Sequence, residues 1–466
     1  MDHFDLNTRN VQRVHFIGIG GISMSAIAEM LLTFDYKVSG SDMRASKITE
    51  RLEKKGVSLT IGHDPKNIGD CDLVVYTAAV KGDNPELIKA QEMGIPIIDR
   101  AEMLGLLMKK FHTSIAVAGT HGKTTTTSMI SLILEAAGFD PTILVGGELD
   151  EIGGNVKIGK EHYLVTEACE YVESFLKFFP KIGIILNIDA DHLDYFQDMD
   201  HIHRAFSKFA ALIPDDGYLI ACKDDPNTEK VLQTTDRPIL TYGIQQKSDY
   251  QGRNIHFRSN GFPTFDVFYL EEFLGTFELQ IPGYHNISNA LAAIACCHAL
   301  GVPVEKIRDR LAYFKGTHRR FDILGERNGM TIIDDYAHHP TEIKATLGAA
   351  TRYPHREIWC IFQPHTYSRT ISFFQEFSQS FKDADKVIIT DIYAAREADT
   401  QEIKASDLAQ AISNHHKKDV AYIREFSEIA DYVLKNAQTG DLIITMGAGD
   451  IYRVGEMLLQ EELIKA

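Results

Sequence analysis

The feature that most constrains this chain is a pattern that occurs twice. An apolar run ends in glycines and leads directly into a helical spacing of apolar residues. "RVHFIGIGGISMSAIAEMLLTF" is the first instance and "SIAVAGTHGKTTTTSMISLILEAAG" the second. A strand with no polar alternation must be covered on both faces, and a glycine turn into a helix starts the crossover that covers it. Further strand-like runs follow each instance: "YKVSGSD", "LVVYTAA" and "IPIID" after the first, "HYLVTEA", "IGIILNI" and "GYLIAC" after the second. A third unit begins near "GMTIIDDYAHHPTEIKATLGAA" and continues through "REIWCIFQP", "KVIITDI" and "DLIITMGAG". Strands alternating with helices predict an α/β chain with parallel sheets.

The length of 466 residues agrees with this count, at roughly 150 residues per domain. The expected domains are 1–111, 112–316 and 317–466, with soft boundaries near Lys110–Thr113 and Gly316–Arg320. The net charge of −17 and the absence of a basic run argue against a nucleic-acid surface. Six cysteines form no C-x-x-C pair, and Cys296 and Cys297 lie in an apolar run that suits buried thiols. The N-terminal "MDHFDLNTRN" has no apolar core, so no signal peptide is expected. No uncharged apolar run reaches the ~18 residues of a membrane span. A cytoplasmic protein without membrane insertion is the expectation.

The two glycine turns differ. In "GIGGISMSAIA", Gly18, Gly20 and Gly21 follow a strand and open a helix, as a dinucleotide fingerprint does. Ser23 stands where that fingerprint has its third glycine. Asp42, ending the next strand, is placed to meet a ribose hydroxyl. The combination suggests a nucleotide diphosphate without identifying NAD; the alternative is a tight turn that binds nothing. In "GTHGKTT", the ending Gly122, Lys123, Thr124 matches a phosphate loop, but Val117 holds the position of the usual first glycine. Gly119 is separated from Gly122 by only Thr120 and His121. The physical essentials survive: glycines that let N–H groups approach an anion, and a helix N-terminus behind them. Lys123 is suited to β- and γ-phosphates and Thr124 to Mg²⁺, with Thr125 adjacent.

Phosphate transfer needs oxygen ligands on other elements. "VTEACEYVESF" offers Glu167, Glu170 and Glu173, and "LNIDADHLDYF" offers Asp189, Asp191, His192 and Asp194. Asn286 and Asn289 lie near a helix start, where capping is the simpler reading. "THRRFDILG" supplies Arg320, "DDYAHHP" supplies Asp334, Asp335, His338 and His339, and "FQPHTYSRT" supplies His365 and Arg369. The paired histidines have no zinc-ligand spacing around them in sequence.

Taken together, "GIGGISMSAIA", "GTHGKTTT", "EACEYVESF", "NIDADHLDYF", "GYHNISNA", "HRRFD", "DDYAHHPTEI" and "FQPHTYSRT" resemble the Mur ligase family, which builds the peptide of bacterial cell-wall precursors. The resemblance covers nearly the whole chain, and the family's phosphate loop, G-T-x-G-K-T/S, accounts for the shortened turn. It implies an N-terminal Rossmann-like UDP-binding domain, a central phosphate-loop ATPase domain with a mostly parallel sheet, and a C-terminal Rossmann-like domain for the amino acid. It implies ATP and Mg²⁺, with Gly119 to Thr125, Asn286, Asn289, Arg320 and Asp335 around the nucleotide and Thr124, Glu170 and His192 on the metal. Lys123, Glu170, His192 and His338 form the implied catalytic set. Gly18, Gly20, Gly21, Ser23 and Asp42 would meet the UDP-sugar, and His338, His365 and Arg369 the amino acid.

The implied reaction is ATP-driven amide formation between the lactyl carboxylate of UDP-N-acetylmuramate and L-alanine, by a monomer or weak dimer. Three rivals remain open at this point: a recycling ligase that attaches a ready-made tripeptide to the same UDP-sugar, a nicotinamide-dependent dehydrogenase, and a non-catalytic nucleotide switch.

Overall fold

The computed structural model describes residues 11–395, 397–399 and 401–460. The N-terminal segment read above as lacking a signal peptide lies outside them. Three sheets organise the chain. The first is wholly parallel, in the order Ser58–Ile61, Lys37–Asp42, Arg13–Ile17, Leu73–Tyr76, Ile97–Asp99. Its order reverses beside the first strand, so the "GIGG" turn emerges at the crevice where such sheets bind ligands.

The second sheet has ten strands. Its middle is parallel, with Thr113–Ala118 between Tyr163–Ala168 and Ile182–Ile185. At one edge Gly154–Lys157 pairs antiparallel with Thr142–Leu149; the other edge is a longer antiparallel run, formed by Tyr250–Phe257, Pro263–Tyr269 and Glu272–Glu278. Strand–helix alternation does not foresee these three strands. Their signal was present as alternating burial in "PTFDVFY" and as Asn260-Gly261 between the first two. The third sheet has six strands, and its parallel core carries one antiparallel edge, Asp322–Arg327 against Met330–Asp335. Asn328 and Gly329 join them with φ of 51° and 74°, the backbone of a tight hairpin. The third unit therefore begins one strand earlier than the expected start near "GMTIIDD".

The interfaces between the sheets differ in chemistry. One apolar cluster includes Ile27 and Leu104 of the N-terminal region together with Phe175, Phe206 and Phe209 of the central one. Contact there is so close that a Cβ on Gly105 would lie 1.9 Å from the Lys177 carbonyl oxygen. Apolar clusters on the two faces of the third sheet lie apart from this one. The third sheet's region meets the centre largely through polar pairs, among them Arg369 with Asp191 at 2.9 Å. Among the described residues no helix is long and apolar enough to cross a membrane.

Candidate active site

The central strand Thr113–Ala118 is buried at every residue and delivers the loop to the start of the helix Lys123–Ala136. Gly122 caps that helix with φ of 85°, and a Cβ there would lie 2.5 Å from Asn289 Oδ1. Glycine is therefore required at this position by conformation and by space. Asn187 brackets the loop. Its Oδ1 accepts from the His121 N–H at 2.8 Å, and its Nδ2 donates to the His121 carbonyl at 3.0 Å.

Lys123 folds back on its own loop. Its Nζ donates to the carbonyl oxygens of Gly119 and Thr120 and to Glu170, whose Oε2 is 2.9 Å away. Burial disfavours the ammonium, but the attraction of Glu170 outweighs it and holds the Lys123 pKa above its ordinary value. The other acids of the two clusters are separated by their partners. Glu167 accepts from the Gly146 N–H and Glu173 pairs with Lys208 at 3.1 Å, so only Glu170 faces the loop lysine. In the second cluster, Asp191 binds Arg369 and Asp194 accepts from the Tyr171 hydroxyl at 2.8 Å. Asp189 accepts from the Thr341 hydroxyl at 2.6 Å and lies 3.4 Å from His121 Nε2. Burial works against both carboxylates. Hydrogen bonds from His121 and Thr341 nevertheless hold Asp189 well below the usual range, and the Arg369 charge does the same for Asp191.

Two cavities flank this segment. The larger, of about 470 Å³, lies between the central and C-terminal regions. His121, Gly122, Thr125, Asn286, Asn289, Arg320 and Asp335, seven of the residues singled out in the sequence, line it together. Burial pushes the Asp335 carboxyl up to about 6 in spite of Arg320. Asn286 and Asn289 are not caps: Gly283 takes that position, and both asparagines are buried within the helix Tyr284–Ala299. The Asn286 amide donates to the Pro282 carbonyl at 2.7 Å and the Asn289 amide to Asn286 Oδ1 at 3.2 Å. The smaller cavity, of about 370 Å³, is lined by Tyr171, Asp191, His192, His365 and Arg369. His192 adopts φ of 53° and its ring lies 4.6 Å from that of Tyr171.

His338 sits beside the smaller cavity, its ring 5.7 Å from that of His365. Its Nδ1 contacts the Tyr336 carbonyl at 3.0 Å, and burial pushes its pKa down to about 4, so the ring is neutral. Thr124 is buried behind the loop, at the start of the same helix as Lys123. The sequence alone does not single out Glu342 or Asn187. Glu342 lies in "HHPTEI", where its capping box with His339 hides a cross-domain partner, His121 Nδ1 at 3.2 Å.

The residues of the first turn stand apart from this cleft. Gly18 has φ of 81°, and the Gly20 N–H donates to Asp42 Oδ2 at 2.8 Å. Asp42 thus closes the turn from within. Ser23 is half-buried in the first turn of the helix Ile22–Thr33. Beneath Asp42, Ser41 and His15 both reach the fully buried Glu86, at 2.7 and 3.2 Å. Ile22, Lys47 and Arg51 line a cavity of about 280 Å³ shared with Gly147 and Glu148 of the central region.

Fold and site together define a three-domain α/β enzyme with a phosphate-loop cleft. Its family follows from comparison with known proteins. Residues 13–112 match the model of the Mur ligase family catalytic domain, 117–297 the Mur ligase middle domain, and 319–449 the Mur ligase glutamate ligase domain. A UDP-N-acetylmuramate–L-alanine ligase of Alkaliphilus metalliredigens is 56% identical over 459 residues, covering 98% of this chain and 99% of that one. The protein of the same name from Acetivibrio thermocellus is 55% identical over 99% of this chain and 98% of its own. Among solved structures, the UDP-N-acetylmuramate–alanine ligase of Thermotoga maritima superposes with a TM-score of 0.79 at 30% identity, over 96% of this chain and 98% of that one. A murein peptide ligase from Psychrobacter arcticus gives 0.69 at 27% identity, with the same coverage. The chain belongs to the Mur ligase family.

Proposed function

We propose that this chain joins L-alanine to the lactyl carboxylate of UDP-N-acetylmuramate at the expense of ATP. The observation that supports this most strongly is full-length identity of 56% to a ligase of that name, with a phosphate loop and two flanking cavities in one cleft. The tripeptide-recycling alternative has weaker support, from a peptide ligase 27% identical with a TM-score of 0.69. The proposed division at 111/112 and 316/317 is supported by sheets whose strands fall within 13–99, 113–278 and 322–446.

In this reading the larger cavity takes the base and ribose of ATP, between Asn286, Asn289 and the Arg320–Asp335 side. The loop N–H groups and Lys123 take the phosphates. The lactyl carboxylate attacks the γ-phosphorus and becomes an acyl phosphate with release of ADP. The alanine amine then attacks the acyl carbon, and phosphate leaves from the tetrahedral intermediate. The smaller cavity receives the amino acid, with Arg369, held by Asp191, near its carboxylate and neutral His338 and His365 beside it.

The donor chemistry fits Mg²⁺: Glu170 is 3% exposed, acidic, and balanced by the phosphate-binding lysine itself. Thr124, Glu170 and His192 would hold the ion, which would supply charge neutralisation at the transferring phosphoryl group. The UDP diphosphate is assigned to the Gly18–Gly21 turn, with Ser23 and Asp42. The protein acts in the cytoplasm as a monomer or weak dimer. The deciding experiment is ADP release with UDP-N-acetylmuramate and, in turn, L-alanine, glycine, L-serine and the tripeptide. Preference for the tripeptide would overturn the reading.

A further inference from the structure

Three metal-competent side chains converge where the phosphate loop meets the C-terminal domain, and none of them is a ligand of the Mg²⁺ site proposed above. His121 Nε2 lies 3.4 Å from Asp189 Oδ2, and His339 Nδ1 lies 3.9 Å from the same oxygen. All three donor atoms fall within 4.8 Å of one another. Ligands held at about 2.0–2.2 Å in a tetrahedron stand roughly 3.3 Å apart, so small side-chain shifts bring this set onto one ion.

The surroundings are those that ligating histidines require. A metal-bound imidazole directs its other ring N–H to a carboxylate or a carbonyl. Here His121 Nδ1 faces Glu342 Oε1 at 3.2 Å, and His339 Nε2 faces the Ala190 carbonyl at 2.9 Å. Asp189 is oriented as well, by the Thr341 hydroxyl on Oδ2 and by the Ala190 N–H on Oδ1 at 2.8 Å. The entering ion would displace the Nε2 proton of His121 and one 3.3 Å bond from the Thr341 N–H to His339 Nδ1. His339 is buried, whereas His121 and Asp189 line the larger cavity, which gives an entry path and room for a water as fourth ligand.

We propose that His121, Asp189 and His339 form a binding site for a borderline divalent ion of the Zn²⁺ class, separate from the oxygen-rich Mg²⁺ site at Thr124 and Glu170. Two imidazole nitrogens select such an ion over Mg²⁺. Two ligands come from the central domain and one from the C-terminal domain, so the bound ion staples the cleft shut. An enzyme that must open to exchange substrates is then inhibited by it.

The test uses the full chain, stripped with a chelator and free of nucleotide, titrated calorimetrically with Zn²⁺ and followed optically with Co²⁺. The expected result is one saturable site with the intense Co²⁺ bands of four-coordination, unaffected by excess Mg²⁺. His339→Gln and Asp189→Asn, each checked for folding by circular dichroism, weaken it on the order of 100-fold. Glu170→Gln leaves it unchanged. The absence of a saturable site overturns the proposal. So does affinity that survives both substitutions, which would belong to surface histidines, or affinity lost in Glu170→Gln, which would place the ion on the Mg²⁺ ligands. If one variant fails to fold, the other decides. Zn²⁺ inhibition of ADP release that persists unchanged in both variants would overturn the staple.

Discussion

The two glycine turns have the same local construction and opposite electrostatics. Each follows a buried parallel strand and opens a helix. The first, at Gly18–Gly21, is closed by a carboxylate of its own domain, Asp42, on the Gly20 N–H. The second, at Gly119–Gly122, carries a lysine that lies on a carboxylate from another strand end, and a histidine that reaches a carboxylate of another domain. A glycine turn therefore specifies only that N–H groups are available. What it binds depends on the charge placed opposite. A turn with an internal carboxylate suits a ligand that also offers hydroxyls, such as a nucleoside diphosphate sugar. A turn with a half-buried lysine suits a phosphate that gains charge during reaction.

The largest test of this contrast is Lys123→Ala. Loss of one preorganised charge at a transferring group costs about 10³-fold in kcat. It also leaves Glu170 buried without its partner, costing roughly 3 kcal/mol of stability. Adding Glu170→Gln should return the stability and leave ADP release at or below the Lys123→Ala level. Near-parent ADP release by a folded Lys123→Ala variant would sink the assignment.

The second test concerns the buried carboxylates beneath the two sites. Burial raises the Glu86 pKa, but hydrogen bonds from His15, Ser41 and Asn67 win and draw it down to about 2. Its stabilisation is therefore complete above the ordinary value of 4.5 and is lost as pH falls towards 2. That loss is about 3 kcal/mol in the parent and absent in Glu86→Gln. Asp335, raised to about 6, has the reverse sign: its contribution is present below 3.8 and lost as pH rises through 6. Denaturant midpoints measured from pH 2.5 to 7 separate the two. Parallel curves for the parent and Glu86→Gln would contradict this account of the first domain.

Gly20→Val comes next. Its Cβ would lie 2.8 Å from Asp42 Oδ2, and overpacking of about 1–3 kcal/mol predicts an increase of about 5- to 150-fold in KM for the UDP-sugar. Calorimetry should show ATP affinity unchanged and no tight NAD binding. Loss of ATP affinity instead would merge the two sites. The smallest effect is expected for Arg369→Lys, which gives up one of the two bonds to Asp191. A rise of roughly five-fold in KM for L-alanine, with KM for ATP unmoved, is the expected readout. A change confined to ATP would detach Arg369 from the acceptor side.

What the sequence determined by itself is local. Strand, glycine turn and helix are written within a few consecutive residues, so both turns, the parallel sheets and the candidate residues on strand ends were legible as "GIGG", "GTHGKT" and "NIDADH". The antiparallel edge Tyr250–Glu278 was written too, in alternation and Asn-Gly, but is easily lost among parallel runs. Only the tertiary structure decided which acid meets which base. Glu167, Glu170 and Glu173 are equivalent as text, yet a strand pleat and a kinked 3₁₀ turn send them to Gly146, Lys123 and Lys208. Glu342 reads as a helix cap and becomes the partner of His121. Charges 35 to 221 residues apart interact through space, over a few ångströms, and that distance is set by how the strand ends and the three domains pack rather than by any spacing along the chain.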